Sequence, residues 1–579
     1  MDPKIPKKSA ELPKNRHFPL PYFIFCANLT KVFKQINICG HTLLAYERKG
    51  GFGVANTKNQ HRKHKLIEYA NGKSLEEING TVEVPHGKGF WRTLFAYSGP
   101  GALVAVGYMD PGNWSTSITG GQSFQYTLMT TILISSLIAM LLQNMAAKLG
   151  IVSQMDLAQA IRARTGKALG VILWIMTEFA IMATDIAEVI GAAIALNLLF
   201  HIPLVPAVFI TVLDVLVLLL LTKIGFRKIE AIVACLILVI LFVFAYEVAL
   251  SKPVWGSVFM GLIPSEKAIA KGPIVGGISP LTGSLGIIGA TVMPHNLYLH
   301  SAISQTRKLD HTNVDDIRQT VRFSMWDSNI QLSLAFIVNA LLLIMGVAVF
   351  KSGAVEDSSF FGLYDALNNT SMLSNPILIG VAKSGILSTL FAVALLASGQ
   401  NSTITGTLTG QVIMEGFVHL KMPLWARRFI PRLISVIPVL VCVASTARES
   451  ENQQHTALNL LMENSQVFLA FALPFSMLPL LLMTNSETEM GEFRNHVITR
   501  ILGWISVLAL TFLNLYNLPQ TYEGFGIWNK ATSDILAWIT IVIILALLIW
   551  TCVEMVIGDR RFAAEHKKHT WETKPAEEN

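Results

Sequence analysis

Met109-Asp110-Pro111-Gly112-Asn113 and Val292-Met293-Pro294-His295-Asn296 place proline and asparagine at the same spacing inside two apolar runs of the chain. Proline lacks an N–H and crowds the preceding turn, and Gly112 lowers helix propensity further, so a helix entering either stretch should unwind there. Unwound backbone at membrane depth persists only where it is buried in protein or lines a wet cavity, with carbonyls free to hold a cation. Two such breaks facing each other make a binding site.

Working outward, apolar runs of about 20 residues, the length a transmembrane helix needs, recur from Phe95 almost to the C-terminus, about twelve in all. They lie near 95–117, 124–147, 170–200, 205–222, 229–250, 281–305, 327–350, 378–412, 429–446, 457–483, 498–517 and 534–557 and are called spans 1 to 12 below. With 52% hydrophobic and 14% charged residues, the composition excludes an ordinary soluble fold. The first break falls in span 1 and the second in span 6. An odd offset of five spans means that the second copy enters the membrane with opposite orientation, as in transporters built from inverted repeats. The expected fold is an all-α integral membrane protein of about 12 transmembrane helices. Helices 1–5 and 6–10 form two inverted five-helix repeats with broken helices 1 and 6, and two further helices are peripheral.

Basic residues collect on alternate connections: Lys148, Arg162, Arg164 and Lys167 after span 2, Arg307, Lys308, Arg318 and Arg322 after span 6, and Arg560, Arg561, Lys567 and Lys568 after span 12. The intervening connections, such as 201–204 and 351–377, are poor in Lys and Arg. The positive-inside rule then places both termini in the cytoplasm of a multi-pass cell-membrane protein. The same clustering explains the net charge of +7 without nucleic acid. Residues 1–90 are polar, basic and irregular, with one short apolar patch from Phe18 to Cys26, and are expected to be a disordered cytoplasmic extension. The part before about Lys65 has no pattern of its own; one expectation is translation from upstream of the native start, which peptides from 1–60 in mass spectrometry would reject. Residues 91–557 form the transmembrane domain and 558–579 a cytoplasmic tail. The five cysteines, Cys26, Cys39, Cys235, Cys442 and Cys552, have no paired spacing and are expected to be inert. The glycine-rich Gly272 to Gly289 stretch lacks Walker spacing, so neither an ATP-driven pump nor an enzyme is expected. No protein partner is evident.

A carboxylate near the bilayer centre costs about 2.5–3.5 kcal/mol on insertion scales, so Asp110 needs a bound cation or a proton. Asn113, one turn on, adds a neutral oxygen on the same face. Met293 discriminates: a thioether is a soft ligand with little attraction for magnesium or calcium, so oxygens plus one sulfur favour manganese, iron, cobalt or cadmium. An arbitrary methionine in an apolar helix merely packs, but this one directly precedes the helix-breaking Pro294.

The Asp-Pro-Gly-Asn of 110–113 and the Met-Pro-His-Asn of 293–296 resemble the paired signatures of the Nramp family of proton-coupled manganese and iron transporters, in particular its bacterial MntH-type members. The resemblance covers roughly 90–557 and includes Thr184-Asp185-Ile186-Ala187-Glu188 in span 3 and Ser465-Gln466-Val467 in span 10. It implies metal held by Asp110, Asn113 and Met293, with backbone carbonyls of Gly107 and Ala290 and, in one conformation, Gln466. The family usually has alanine where Gly107 stands. It also implies a polar proton path through Asp110, His295, Glu178, Asp185, Glu188, His300 and an arginine of span 9, Arg432. Manganese is the metal it favours, with Fe2+, Co2+ and Cd2+ as alternatives, no resident cofactor, and proton-coupled uptake by alternating access as the expected function.

Placing a divalent cation beside an ionised Asp110 changes the pocket's charge, so metal binding should expel a proton. Glu178, Asp185 and Glu188, at spacings of seven and three, share one helical face where they form either a relay or a row of salt bridges with arginine; the relay is the expectation. His295 titrates near neutrality when unperturbed, which suits proton exchange, gating or weak ligation. Ser398-Gly399-Gln400-Asn401-Ser402 in span 8 is expected to make ordinary interhelical bonds outside the site. Alternatives on the same core are an amino-acid symporter, opposed by the repulsion between Asp110 and a substrate carboxylate, and a magnesium transporter, opposed by Met293. A membrane metal sensor would need an output domain that the short tail at 558–579 does not supply.

Overall fold

The apolar runs fold as helices. Span 1 is Pro100–Gly107 followed by Pro111–Phe124, and spans 2 and 3 are Met129–Ser153 and Lys167–Phe200. The described part of span 4 is Leu204–Thr211, and span 5 is Phe226–Ser251. Span 6 is Pro280–Thr291 followed by Pro294–Ile303, and spans 7 and 8 are Val314–Phe350 and Ile386–Val418. Spans 9 to 12 are Leu424–Thr446, Glu451–Asn485, Val497–Gly524 and Lys530–Glu565. The computed structural model describes residues 79–84, 89–213, 226–251, 253–275, 278–350, 359–368, 384–418, 424–524 and 529–565. Most of the N-terminal extension, including Phe18 to Cys26, lies outside the described residues.

Among the described residues, 8 helical stretches are long and apolar enough to cross a membrane. One of them, Pro111–Ser153, joins the second half of span 1 to span 2, and spans 4, 6 and 8 are not among them, for physical reasons. Span 6 is split into helices of 12 and 10 residues, each too short alone. Span 8 carries Ser398, Gln400, Asn401, Ser402, Thr403, Thr405, Thr407 and Thr409, and span 4 continues beyond the described residues. The broken helices therefore sit in spans 1 and 6, five spans apart, as the inverted-repeat reading requires. Spans 11 and 12, outside the repeats, have only 28% and 17% of their most apolar windows buried, and span 9 likewise 28%, against 78% for span 3 and 83% for span 10. Span 3 packs on spans 8 and 10, and span 7 packs on spans 1 and 2.

The described chain divides into two units. One comprises the described residues of Ala55–Asn517 and Val542–Asn579 and contains both breaks. The other, among the described residues, is Leu518–Ile541, where the Tyr522 and Thr540 hydroxyls are 2.9 Å apart.

Both ends of the transmembrane domain extend further than expected. Residues 79–84 pair with the connection after span 6: the Gly80 and Val82 amides donate to the Gln305 and Thr306 carbonyls, both at 3.0 Å, and the Lys308 amide donates to the Val82 carbonyl at 2.8 Å. That backbone pairing satisfies polar groups that a free tail would leave to water. At the other end, span 12 runs past 557 to Glu565. Asp559 accepts from Ser486 Oγ at 2.8 Å, the Arg164 guanidinium lies 4.3 Å over the Phe562 ring, and Arg164 also pairs with Glu489.

The base of span 1 is clamped by charge. Gly99 stands at φ +143°, and a Cβ there would meet the Glu230 carboxylate, so glycine is required. Asp327 of span 7 accepts from the Gly99 and Gly101 amides at 3.3 and 2.8 Å, capping the first half-helix. Arg307 pairs with Glu230 at 2.8 Å and donates to the Tyr97 and Ser98 carbonyls at 3.0 and 2.9 Å. Arg307 and Glu230 are both buried, so removing one partner strands a charge, which costs about 3–5 kcal/mol. Arg307→Met should lower the thermal unfolding midpoint of the detergent-solubilised protein strongly, and adding Glu230→Gln should recover most of the loss. Equal melting of wild type and Arg307→Met would refute the clamp.

Candidate metal site

An α-helical carbonyl is satisfied by the N–H four residues on. Four residues after Gly107 stands Pro111, and four after Ala290 stands Pro294, so each proline frees one carbonyl on the preceding half-helix. These are the last turns of Pro100–Gly107 and Pro280–Thr291, where the helix dipole adds negative character. Asp110 and Met293 occupy equivalent places: each is extended, at φ −74°, ψ 166° and φ −80°, ψ 125°, and each is the N-cap of the second half-helix.

Four breaks in the hydrogen-bond ladder are repaired in two different ways. The Met109 carbonyl accepts from Trp114 Nε1 at 2.9 Å and Ser398 Oγ at 2.5 Å, and the Tyr108 carbonyl accepts from Asn339 Nδ2 at 2.9 Å. Side-chain donors from fixed helices thus lock these two. The Gly107 and Ala290 carbonyls instead converge on the Asn113 amide nitrogen, at 3.4 and 2.7 Å. Asp110 Oδ1 accepts from the same nitrogen at 2.7 Å. Three oxygens from three points of two broken helices therefore surround one positively polarised group, an arrangement a cation could replace.

Asp110 is fully buried and also caps its own half-helix, accepting from the backbone amides of Asn113 at 2.9 Å and Gly112 at 3.3 Å. Asn113 Oδ1 is held only loosely, by Thr291 Oγ1 at 3.4 Å and Asn339 Nδ2 at 3.5 Å. Rotation of that amide would bring its oxygen to the point its nitrogen now occupies, breaking the two 2.7 Å bonds from Nδ2, a loss that a cation bound among the oxygens would offset. Met293 is fully buried and clusters with Ala183 and Leu469; its sulfur accepts from Asn296 Nδ2 at 3.5 Å. Gln466 is fully buried and packs on Gly112 so closely that a Cβ there would lie 2.5 Å from its Cδ. Its Oε1 has no partner among the described residues. Asn296 covers Gly107, where a Cβ would come within 3.0 Å of its Cγ. Among the described residues no three His, Cys, Asp or Glu are grouped to hold a metal. An ion at the breaks must rely on one carboxylate with amide, carbonyl and thioether donors.

The residues expected to carry protons fall into separate groups. Arg432 donates to Glu188 Oε2 at 3.1 Å and lies 3.5 Å from Asp185 Oδ1, and Ser402 and Thr403 donate to the Glu188 carboxylate at 2.5 and 3.0 Å. Spans 3, 8 and 9 are joined there. Glu178, by contrast, accepts from Trp174 on its own helix at 2.9 Å. His295 is buried with no partner for Nδ1 among the described residues. His300 Nδ1 is 3.0 Å from Gln143 Oε1, and Gln143 Nε2 donates to Tyr108 Oη at 2.7 Å.

Sequence reasoning passed over Asn339, Thr291 and Gln143, because one polar residue in an apolar span looks the same whether it ties two helices or serves a site. The Ser398–Ser402 segment does make interhelical bonds, as expected, but they reach the Met109 carbonyl at the break and the Glu188 carboxylate. The prolines offered a signal for Gly107 and Ala290, since each stands four residues before one.

Residues 101–520 match the family described as natural resistance-associated macrophage protein-like, Nramp. The protein named divalent metal cation transporter MntH of Latilactobacillus sakei subsp. sakei is 56% identical over 461 residues, 79% of this chain and 97% of its own length. Its namesake in Lacticaseibacillus casei is 54% identical over 470 residues, 81% of this chain and 99% of its own. Among solved structures, the Eremococcus coleocola manganese transporter, crystallised with an aromatic bis-isothiourea substituted compound, is 64% identical with a TM-score of 0.79. That match covers 85% of this chain and 100% of the other.

Proposed function

Because the chain belongs to the Nramp family, a family whose named relatives transport divalent metal cations, we propose that it takes up Mn2+ together with protons across the cell membrane by alternating access. Support comes foremost from the convergence of the Asp110 carboxylate and the Gly107 and Ala290 carbonyls on one point, now filled by the Asn113 amide nitrogen. The metal displaces that N–H: Asn113 rotates its oxygen inward, Asp110 supplies the charge, the two proline-freed carbonyls supply oxygens, and Met293 supplies the sulfur. Gln466, which packs on Gly112 with its Oε1 unpartnered among the described residues, adds a further oxygen in one conformation of the cycle. Sulfur among oxygens also admits Fe2+, Co2+ and Cd2+ and disfavours Mg2+ and Ca2+.

Metal binding releases the Asp110 proton. It leaves by way of His295 and the Asp185, Glu188 and Arg432 network towards Glu178 and the cytoplasm, with His300 on the same side. The basic connections after spans 2, 6 and 12 face the cytoplasm. An inward proton gradient and an inside-negative potential then both favour uptake.

The test is manganese uptake into vesicles reconstituted with the full chain, at outside pH of about 5 and about 7.5, either side of the ordinary histidine range. Faster initial uptake at the lower outside pH, with acidification of the lumen, is the expected result. Uptake with no acidification would remove proton coupling, and no uptake of any divalent metal would remove transport.

A further inference from the structure

On span 10, His455, Asn459, Glu463 and Gln466 follow one another at intervals of four, four and three, so they line one face of the helix. The face starts at the end of span 10 remote from Asn485, where the His455 ring stacks on Phe361 with centroids 3.7 Å apart. It ends on Gln466 against Gly112, at the break of span 1. Between them, Asn459 Oδ1 accepts from Ser115 Oγ at 2.8 Å, and Asn459 Nδ2 donates to Glu463 Oε1 at 2.7 Å and to Thr119 Oγ1 at 3.3 Å. Ser115 and Thr119 are one turn apart on the second half of span 1, so polar side chains of two spans meet along the whole approach to Asp110.

Glu463 is the unusual member. Most other buried carboxylates have counter-charges or amide caps: Glu230 has Arg307, Glu188 has Arg432, Glu489 has Arg164, and Asp327 has the Gly99 and Gly101 amides. Glu247 of span 5 also has neither among the described residues, but it is not on the span 10 face that reaches the break of span 1. Glu463 is 8% exposed and makes no ion pair among the described residues. A carboxylate at that depth calls for a cation or a proton. Its neighbours are the Ser115 and Thr119 hydroxyls and the Asn459 amide, whose Nδ2 faces Glu463 and whose oxygen would turn inward beside a cation; with no sulfur among them, such donors attract a hydrated divalent ion by charge without selecting among metals.

We propose that Glu463, with Ser115, Thr119 and Asn459, forms a second cation station on the outer approach to Asp110, where a partly hydrated divalent metal ion is held before it passes Gln466 and is stripped at Met293. The station rests on the assignment of Asp110, Asn113 and Met293 as the inner metal site and of the Asn485 end of span 10 as cytoplasmic.

The experiment is the concentration dependence of manganese uptake by the full chain in vesicles, for wild type, Glu463→Gln, Glu463→Asp and Asp110→Asn. Glutamine keeps the acceptor for Asn459 and loses only the charge, so Glu463→Gln should raise the apparent KM about tenfold and keep kcat within about twofold. Glu463→Asp, which restores the charge, should return KM to within about threefold of wild type. An unmoved KM in Glu463→Gln, or a fall in kcat at constant KM, overturns the station. Should the glutamine variant not fold, Asn459→Asp, which adds a negative charge to the same face, must lower KM; an unchanged or raised KM has the same overturning force. Uptake that survives Asp110→Asn would instead remove the inner site, whereas its loss alongside an unmoved KM in Glu463→Gln removes the station alone.

Discussion

Asp110→Asn should reduce manganese uptake by about 30-fold or more, since truncating one member of a desolvated, hydrogen-bonded charge pair costs about 2–5 kcal/mol. The substitution separates two roles that the structure combines in one side chain. Asp110 caps the half-helix Pro111–Phe124 through the backbone amides of Asn113 and Gly112, and asparagine is as good an N-cap as aspartate. Its amide oxygen can also accept from Asn113 Nδ2 as Asp110 Oδ1 does at 2.7 Å. The fold and the break should therefore survive, with a thermal unfolding midpoint close to that of wild type, while the one full negative charge at the convergence of carbonyls is gone. Uptake measured in vesicles alongside the unfolding midpoint checks both halves. A stable variant that still transports manganese at near wild-type rate would show that the metal does not bind at the breaks.

Met293→Ala should change what is transported more than how fast. With the sulfur removed, the donors left at the breaks are the Asp110 carboxylate, the Asn113 amide and the carbonyls of Gly107 and Ala290, an all-oxygen set of the kind calcium and magnesium prefer. Manganese uptake should weaken roughly tenfold, and excess calcium or magnesium should begin to compete where it does not in wild type. Because Met293 is fully buried beside Ala183 and Leu469, truncation to alanine also leaves a cavity. Met293→Leu supplies the control, since it keeps the volume and removes only the sulfur. If leucine discriminates against calcium as well as methionine does, the selectivity comes from the shape of the pocket and not from the thioether.

Much of this was legible in the order of residues. Pro111 and Pro294 each lack an N–H wherever the chain folds, so the two freed carbonyls and their five-span offset follow from covalent chemistry, but Pro431, Pro438, Pro474, Pro479 and Pro519 stand inside helices that continue unbroken, so a proline alone does not decide a break. The apolar runs are equally local, which is why each expected span finds a helix, although one or both ends differ by five residues or more at spans 1, 2 and 7 to 12, with span 7 starting at Val314 and not at 327. At the end of span 12 something distant intervenes: Arg164, Ser486 and Thr488 hold Asp559, and the helix continues to Glu565 beyond its apolar run.

Tertiary structure alone decided who meets whom at the breaks. Asn339, 226 residues from Asn113, and Ser398, 289 residues from Met109, reach the unwound backbone of span 1, while Glu178 bonds within its own helix and stays apart from the Arg432 network. A missing donor is written into a single residue, whereas the choice of its replacement depends on which helix faces cross, and a serine or asparagine in an apolar segment carries no mark of that choice. So the sequence by itself determined that Pro111 and Pro294 each free a carbonyl, and only the packing decided that spans 1 and 6 break there and that those carbonyls, Asp110 and the Asn113 amide converge on one point.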